Sequence, residues 1–510
     1  MNKMKICLII PPSPFLLDER VFVQLGILKI AAILEQKNYS VDLVDLSGVD
    51  NYIDVLNDYI NVPGRSDIFG ITATTPQIPY AVKVGQFLKS KLPGNMSKTI
   101  LGGPHVTLMH TAAKREKNKN FAGSDRAHKD VECLKEYFDV LVCGDGELAI
   151  FDAITTNEKV IDADNAKSEY FLTHEQFSEL PPPARHLVDM DSYKYSIEGE
   201  PALSLIAQLG CPFRCTFCSG RNSPFLRKIR TRSTESVISE VESLYLTYGV
   251  KGFMFYDDEL NVNKNMISMM NELYNLQDKH GVDFKLRGFV KAELFNEEQA
   301  DAMYRAGFRW LLTGFESGDP RILSNIKKIA KRDDNTRCVE IAKNSGLKVK
   351  ALMSIGHAGE SLESVENTKN WLLETQPEDF DCTIITTYPG SPYFDDAVKE
   401  NDYYVYTDKK TGDRLYQASL NYLVDQDYYK GDPDGGYTSY VWTDHLSATE
   451  LVSAREDLER EIREKLKIPF NPARPGIKYE HSMGMGMGAA AKVKIPEFIL
   501  RMSKNRNESF

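Results

Sequence analysis

The sequence predicts an α/β protein that combines an N-terminal doubly wound parallel sheet, a partial (β/α)6 barrel and a small mixed C-terminal region. Short apolar runs alternate with longer amphipathic ones through the first 155 residues, and the same alternation restarts at residue 201. The chain has 510 residues, of which 42% are hydrophobic, and is too long for one ordinary core. We therefore expect two or three domains.

Five apolar runs in the first 155 residues read as strands, and helical segments such as "QLGILKIAAILEQKN" separate them. Ligands of doubly wound sheets bind at the carboxyl ends of the strands. Here those ends carry small, Gly-rich or hydroxyl-bearing loops, which let a large ligand approach the backbone closely. The five runs are "KICLII", "SVDLVDLS", "DIFGITATT", "KTILGG" and "FDVLVCGDGE".

A polar stretch separates the two alternating regions. It ends in "LPPPARHLVDMDSY", whose three consecutive prolines do not continue a helix or a central strand. We therefore expect a sheet domain over 1–155, a linker over 156–200, a barrel over 201–395 and a substrate or capping region with a flexible tail over 396–510.

Six strand and helix units run from "ALSLIAQL" to "DFDCTIITTYPG", enough for an open parallel barrel with its chemistry on the loops after the strands. Beyond them, "DKKTGDRLYQ" predicts a hairpin, and "LSATELVSAREDLEREIREKLK" predicts a helix with opposite charges at i,i+4 spacing. Tyrosines concentrate between 395 and 480, where they either pack the open side of the barrel or contact a polar substrate. "SMGMGMG" is read as a flexible tail rather than a soft-metal site.

Composition excludes several classes of protein. The chain has 73 acidic and 62 basic residues, which disfavours general binding to nucleic acid. Its longest apolar runs are far shorter than the roughly 20 residues of a membrane span, and its N-terminus lacks a signal-peptide layout. We expect a cytoplasmic protein. Eight cysteines are too few for a disulfide scaffold, so a cluster of them indicates metal or redox chemistry.

Cys211, Cys215 and Cys218 form such a cluster, directly after the first barrel strand. A structural zinc site needs four ligands, so His186, Cys338 or Cys382 would have to fold back as the fourth. A redox dithiol leaves Cys211 unused, and three buried structural thiols do not suit a loop of this composition. The remaining interpretation is a [4Fe–4S] cluster with three thiolates, which leaves one iron open to a small molecule.

The cysteine spacing, with Phe217 before the last thiol, resembles the radical S-adenosylmethionine (SAM) superfamily over about 200–395. Its later loops, including "GFESG" and "IGHAGES", occur in the family's order. The resemblance implies that SAM binds the open iron and is cleaved to a 5'-deoxyadenosyl radical. Besides the three cysteines that would bind the cluster, the resemblance implies five SAM-binding residues: Phe217, Arg232, Asp257, Glu316 and Gly356.

The chemistry of some of these side chains suits particular parts of SAM, and each of them also has an alternative role. Arg232 suits the SAM carboxylate, Glu316 suits the ribose hydroxyls, and Gly356 lets the backbone pass close to adenine. Alternatively, Glu316 caps a helix that begins at Asp319, Arg232 forms an ion pair, and Asp257 belongs to a solvated turn.

The N-terminal sheet lacks both a Gly-x-Gly-x-x-Gly turn and a P-loop. The series "QLGILKIAAIL", "GITATT", "LGGPHVT" and "VCGDGEL" resembles the cobalamin-binding, Rossmann-like domain of one radical SAM subfamily. No histidine precedes His105, so the resemblance implies cobalamin without a histidine ligand on cobalt. His105 itself is read as a solvated loop residue, with contact to the corrin edge as the alternative. A sheet that has lost its ligand is the alternative. The candidate contacts are Thr74, Thr75, Gly102, Gly103, Gly144 and Glu147.

What the resemblance implies most often is methyl transfer to an unactivated carbon of a small organic substrate, with a 5'-deoxyadenosyl radical and methylcobalamin as reagents. Cyclisation or ring rearrangement with the same cofactors is the alternative, and an iron–sulfur or zinc regulatory module is the hypothesis from a different class. We expect a small-molecule substrate and an electron donor such as flavodoxin or ferredoxin as partners, and neither nucleic acid nor a membrane span.

Overall fold

The computed structural model describes residues 4–16, 18–92, 97–119, 125–429 and 436–469. Its N-terminal part is a six-stranded parallel sheet with the order β2-β1-β3-β4-β5-β6. The strands are β1 (Lys5–Ile10), β2 (Ser40–Asp45), β3 (Ile68–Thr72), β4 (Lys98–Gly102), β5 (Val140–Gly144) and β6 (Val160–Ala163). The helices are α1 (Leu25–Gln36), α2 (Tyr52–Ile60), α3 (Ile78–Lys91), α4 (Pro104–Lys119), α5 (Arg126–Tyr137) and α6 (Gly146–Thr155).

Side-chain alternation along β1 separates two cores in this domain. Cys7 and Ile9 pack with helices α2 to α5 on one face of the sheet, whereas Ile6, Leu8 and Ile10 pack with α1 and α6 on the other. The doubly wound prediction is therefore confirmed. Strand β6 adds a sixth strand, which lies in the stretch that we expected to be a linker.

The second part is a seven-stranded sheet with the order β15-β14-β13-β12-β11-β8-β7. Six of its strands are parallel, as a partial (β/α)6 barrel requires, and β7 pairs antiparallel with β8. The strands are β7 (Ser196–Ile197), β8 (Glu200–Leu205), β11 (Gly252–Phe255), β12 (Lys285–Phe289), β13 (Phe308–Glu316), β14 (Lys348–Ile355) and β15 (Asp379–Ile384), and a separate ribbon pairs β9 (Gln208–Leu209) with β10 (Arg230–Thr231).

Helices cover the outer face of the barrel and its connections, and one large apolar core fills the space between helices and strands. Short helix α7 precedes the barrel. The helices are α7 (His174–Glu179), α8 (Pro224–Arg227), α9 (Thr234–Tyr248), α10 (Met266–His280), α11 (Glu297–Arg305), α12 (Pro320–Asn325), α13 (Arg332–Asn344), α14 (Leu362–Thr375) and α15 (Pro392–Asp395).

A four-stranded antiparallel sheet and a long helix complete the described chain. The sheet consists of β16 (Val398–Glu400), β17 (Tyr403–Thr407), β18 (Arg414–Ala418) and β19 (Val441–Thr443), and the helix is α16 (Ala448–Leu466). The predicted hairpin is β17–β18 and the predicted charged helix is α16, so both are confirmed. The methionine-rich run "SMGMGMG" lies outside the described residues.

Buried ion pairs join the sheet domain to the barrel. Asp145, just before α6, pairs with Arg230 of β10, and both side chains are fully buried. Arg185 in the connection pairs with Glu240 of α9 at 2.7 Å. These pairs hold the carboxyl edge of the N-terminal sheet against the loops at the barrel mouth. Within the described residues, no helix is both long and apolar enough to cross a membrane.

Candidate functional site

The cysteine loop lies between β9 and α8 and is anchored by its backbone on two sides. The Cys211 amide donates to the Leu226 carbonyl at 3.0 Å, and the Thr216 amide donates to the Ile326 carbonyl at 2.9 Å. Gly210 has a φ of +90°, and a Cβ there would lie 2.3 Å from the Lys228 carbonyl oxygen. Only glycine suits this entry to the loop.

The three thiols are free and half-buried. Burial raises the pKa of Cys211 to about 12 and that of Cys218 to about 11, so both are protonated until a cation binds. The described residues hold no group of three or more His, Cys, Asp or Glu side chains arranged around a single ion. In a four-iron cluster each thiolate binds a different iron, so the ligands lie farther apart than those of one ion.

A buried arginine faces the cysteine loop. Arg221 is 5% exposed, its Nη2 has no hydrogen-bond partner among the described residues, and its charge interacts with all three thiols. A buried cation without a counter-ion is costly. Thiolates that carry an iron–sulfur cluster would supply the missing negative charge, so the residues present fit such a group.

Phe217 lies inside the loop and connects it to the barrel. Its side chain packs on Ile322 and Ile326, and its ring centroid lies 5.4 Å from that of His357. The aromatic residue before the last thiol thus holds the cysteine loop against α12 and the loop after β14.

Glu316 ends β13 in a buried network. Its carboxylate contacts Lys328 Nζ at 3.2 Å and accepts a hydrogen bond from Ser354 Oγ at 2.8 Å, and His357 Nε2 lies 2.9 Å from the same hydroxyl. Burial raises the pKa of Glu316, but Lys328 and Ser354 outweigh burial, so the pKa lies below its usual value. Asp319 itself caps α12, and Glu316 therefore does not serve as that cap.

Asp257 follows β11 and is 1% exposed, so the solvated-turn alternative is wrong for this residue. Its carboxylate accepts hydrogen bonds from the amides of Ala207 and Gln208, and burial raises its pKa to about 7. Asp257 thereby fixes the backbone that leads from β8 into the cysteine loop.

Arg232 and Gly356 are both occupied by protein contacts. The Arg232 guanidinium pairs with Glu240 and donates to Ser236 and to the Ile206 carbonyl, which is the ion-pair alternative. Gly356 has a φ of +87°, and a Cβ there would lie 3.2 Å from Ile384 and Val441. The SAM-binding roles of these two residues stay predictions.

Two cavities adjoin at the carboxyl edge of the N-terminal sheet. The sheet cavity, of about 220 Å³, lies between the strand ends and helices α1 and α6 and is lined mainly by Gly, Ile, Leu and Val side chains. The interdomain cavity, of about 420 Å³, lies next to it and also reaches Ser204, Ile206 and Tyr256 of the barrel and Tyr429. Both cavities are lined by Gly26, Ile27, Thr72 and Pro104.

The predicted cobalamin contacts fall on these cavities with one exception. Thr74 lines the interdomain cavity, whereas Thr75 lies behind it, where its carbonyl accepts a hydrogen bond from Tyr428 at 2.8 Å. The sheet cavity is lined by the remaining candidates, Gly102, Gly103, Gly144 and Glu147.

His105 was expected to be a solvated loop residue, and this expectation is wrong. It lies in the first turn of α4 and is fully buried, with Nδ1 3.2 Å from Thr75 Oγ1. Its Nε2 has no partner among the described residues, and burial lowers its pKa to about 3. The physical reason is that the loop after β4 continues directly into α4, in which residues 105–109 are all buried.

The structure adds site residues that sequence reasoning missed. Gly26 lines both cavities, and a Cβ there would meet no protein atom within 4 Å. At Gly102 the nearest atom would be the Val142 carbonyl oxygen, 3.9 Å away. Both positions therefore open toward a ligand. The sequence offers one indication for Arg221, its position three residues after Cys218. It offers none for Lys328, whose role is seen only from its contact with Glu316 in the folded protein.

Comparison with known families places the barrel. The model of the radical SAM superfamily matches residues 205–372, which include the cysteine loop, Asp257 and Glu316. The matched segment runs from the end of β8 into α14.

Relatives and solved structures extend the likeness beyond that segment. The chain is 29% identical over 417 residues to an uncharacterized methyltransferase of Pyrococcus horikoshii, covering 79% of this chain and 84% of that protein. It is 24% identical over 347 residues to the anaerobic magnesium-protoporphyrin IX monomethyl ester cyclase of Rubrivivax gelatinosus, covering 65% of this chain and 58% of that protein.

Among solved structures, the chain resembles the radical SAM methyltransferase TsrM of Kitasatospora setae, whose structure has cobalamin and a [4Fe–4S] cluster bound. The TM-score is 0.62 at 15% identity, covering 89% of this chain and 91% of that one. At this identity the likeness shows the fold. The superfamily match places residues 205–372 in the radical SAM superfamily, and the chain as a whole is similar in sequence to a methyltransferase and in fold to a cobalamin-binding radical SAM methyltransferase.

Proposed function

We propose that the protein transfers a methyl group from SAM to an unactivated carbon of a small organic molecule, with a [4Fe–4S] cluster and cobalamin as cofactors. The observation that carries this proposal is the interdomain cavity. It is lined from both sides, by the loops after β1 and β3 of the sheet and by Ile206 and Tyr256 at the barrel mouth. The cysteine loop begins four residues after Ile206, so we expect a cofactor in that space to lie near the loop.

Cys211, Cys215 and Cys218 would hold the cluster, and Arg221 would balance its charge. When bound, the cluster provides the electron that cleaves SAM to a 5'-deoxyadenosyl radical, and cobalamin provides a carrier for the methyl group. Lys328 and Ser354 orient the ionised Glu316 carboxylate, which can accept hydrogen bonds from two ribose hydroxyls. These residues bind and orient, and the cavity walls limit access of water to a reactive species.

Cobalamin would occupy both cavities. The sheet cavity would take an apolar part of the cofactor, because glycines at 26 and 102 open directly into it. Thr74, Gln77 and Glu19 offer polar atoms in the interdomain cavity.

The proposed reaction balances with two molecules of SAM. One provides the methyl cation and leaves as S-adenosylhomocysteine. The other accepts one electron and leaves as methionine and 5'-deoxyadenosine, whose new C–H bond takes the hydrogen of the substrate carbon. A second electron completes the new carbon–methyl bond. Each methyl transfer therefore consumes two electrons from an external donor.

Methyl-labelled SAM tests this proposal. Protein reconstituted anaerobically with iron, sulfide and cobalamin is given a low-potential reductant, SAM with a trideuterated methyl group and a panel of candidate substrates. Mass spectrometry should find the intact label in a product, together with 5'-deoxyadenosine and S-adenosylhomocysteine. If 5'-deoxyadenosine forms without a labelled product and without S-adenosylhomocysteine, methyl transfer is excluded.

Ring formation or rearrangement without methyl transfer is the second candidate. The observation that favours it is the likeness to the Rubrivivax cyclase, which extends over 65% of this chain. The same experiment decides between the two, because rearrangement yields an unlabelled product whose mass differs from the substrate by hydrogen loss or not at all.

A further inference from the structure

A chain of buried polar side chains leads from Glu316 toward the cysteine loop. Ser354 Oγ lies 2.8 Å from the Glu316 carboxylate and 2.9 Å from His357 Nε2. On the other side of the imidazole ring, Tyr393 Oη lies 3.5 Å from Nδ1. His357 and Tyr393 are fully buried, and Ser354 is 6% exposed. We call Glu316, Ser354, His357 and Tyr393 the buried relay.

The hydrogen bonds of the buried relay have one consistent direction. The Glu316 carboxylate is ionised beside Lys328, and an ionised carboxylate only accepts hydrogen bonds. Ser354 therefore donates its single hydroxyl proton to Glu316, and its oxygen accepts from His357. Burial lowers the pKa of His357 to about 4, so the ring is neutral near pH 7. Its one proton must then lie on Nε2, which leaves Nδ1 to accept from the Tyr393 hydroxyl.

The far end of the buried relay is fixed to the cysteine loop. The Tyr393 amide donates to the Thr216 carbonyl at 3.1 Å, and Thr216 lies between Cys215 and Phe217 in the chain. The Tyr393 ring also packs edge-on against Tyr406 of β17, with centroids 4.8 Å apart. The buried relay thus spans the distance between the cysteine loop and the end of β13, the two sides of the proposed SAM site.

We propose that His357 and Tyr393 are positioning residues that orient the Glu316 carboxylate for the ribose hydroxyls of SAM. They act through Ser354, whose hydroxyl proton the Nε2–H donor directs toward Glu316. In the other tautomer, Nε2 would compete with the carboxylate for that proton, and Lys328 alone would orient Glu316. A carboxylate that is already held in its bound orientation loses less entropy when SAM binds. This proposal rests on the proposed function, in which Glu316 binds the ribose.

Substitution of His357 tests whether its Nε2–H donor matters. His357→Met removes the donor and keeps a side chain of similar size, whereas His357→Gln places an amide N–H donor near the position of Nε2. Anaerobic calorimetric titration of the reconstituted protein with SAM should show about three- to tenfold weaker binding for His357→Met, and His357→Gln should recover most of that loss. His280→Met is the matched control and should keep wild-type affinity, because His280 pairs with Glu242 outside the barrel.

A double variant tests whether His357 acts through Glu316. Glu316→Gln/His357→Met should bind SAM as weakly as Glu316→Gln alone, because the second substitution removes a contact that the first has made irrelevant. Additive losses would overturn the proposal, since His357 would then act independently of Glu316. If Glu316→Gln weakens binding and His357→Met does not, the buried relay is overturned and the ribose assignment stands. If Glu316→Gln itself keeps wild-type affinity, both are overturned.

The tautomer of His357 is a second test, which uses the wild-type fold. Nuclear magnetic resonance of protein with ¹⁵N-labelled histidine should show one neutral ring with the proton on Nε2 between pH 6 and 8, identified by its loss in His357→Gln. In Tyr393→Phe, which keeps the buried ring, that signal should shift toward a mixture of tautomers. A proton on Nδ1 in wild type would overturn the proposal. Failure of methyl transfer alone would leave these binding and resonance results unchanged.

Discussion

Glu316 is the residue at which local strain and proposed function coincide. Its φ is +67°, a left-handed conformation that is unfavourable for residues other than glycine, and the pairing of β13 with β14 is irregular at this position. Lys328 and Ser354 hold the carboxylate in place. A residue kept in such a conformation by its surroundings is a reasonable candidate for ligand contact, and ribose hydroxyls are the ligand that we propose.

Glu316→Gln should weaken SAM binding by roughly 10- to 100-fold, because the variant loses a charged acceptor whose hydrogen bonds are worth about 1.5–3 kcal/mol. Calorimetric titration of the reconstituted protein with SAM under anaerobic conditions measures the effect. Glu235→Gln, at an exposed position of α9, is the control and should leave affinity unchanged. Equal affinities in both variants would remove Glu316 from the SAM site.

His105 makes stability depend on pH. Burial lowers its pKa to about 3 in the folded protein, whereas the unfolded chain has a value of about 6.5. Below pH 6.5 the unfolded chain gains a proton that the folded protein does not accept, so stability falls by about 1.4 kcal/mol per pH unit until the pH nears 3.

His105→Gln should therefore reduce the loss of melting temperature between pH 7.5 and 5.5, measured by differential scanning calorimetry. His186→Gln, whose side chain is 63% exposed in wild type, should retain the wild-type pH dependence. Identical pH dependence in all three proteins would mean that His105 protonates in the folded state.

Helix α1 shows how one element links packing to ligand binding. Leu28, Ala31 and Leu34 are fully buried in the core with β1 and β5, while Gly26 in the first turn opens into both cavities. The helix thus contributes one packed face and, at its first turn, open space beside Gly26. The φ of Gly26 is not positive, so glycine is needed there for space rather than for backbone conformation.

Gly26→Val should fill the entrance shared by the two cavities and prevent cobalamin from binding, without disturbing the fold, since no protein atom lies within 4 Å of the new Cβ. Gly26→Ala is the matched control: it should stabilise the helix by about 0.5–1 kcal/mol and reduce cobalamin affinity less. Absorption titration with cobalamin measures both. Wild-type affinity in Gly26→Val would place cobalamin elsewhere.

The sequence predicts the long elements because their periodicity is strong. The apolar runs that became β1 and β3, and the charged helix α16, are examples. Strand β6 was missed because "VIDA" is four residues long and lies among polar residues. Strands β16 and β19 have three residues each, too few to show a periodic pattern, and β19 pairs with β18 across a long connection.

Site residues were predictable from the sequence where they lie together within one loop. The cysteine trio and the glycines after β4 and β5 each form a local pattern. Lys328 reaches Glu316 only because the chain folds back on itself, whereas Arg221 follows the last thiol by three residues and its charge acts on all three thiols. For Arg232 the sequence pattern predicts contact with SAM, whereas in the folded chain its guanidinium pairs with Glu240.

At the scale of the whole molecule, the two proposed cofactors belong to two structural units, the N-terminal sheet and the barrel, that face each other. The buried pair of Asp145 with Arg230 fixes the carboxyl edge of the sheet against the barrel mouth. Tyr428 and Tyr429 extend the C-terminal region to the same interface, where one bonds to Thr75 and the other lines the interdomain cavity. Holding two reagents in one orientation lowers the entropic cost of their reaction.

Metal content of the reconstituted protein tests this two-cofactor arrangement most directly. Plasma mass spectrometry should find about four iron atoms and about one cobalt atom per chain in wild type. Cys218→Ala should lose iron and keep cobalt, while Gly26→Val should lose cobalt and keep iron. Wild type without bound cobalt, or a variant in which both metals disappear together while the protein stays folded, would contradict the account.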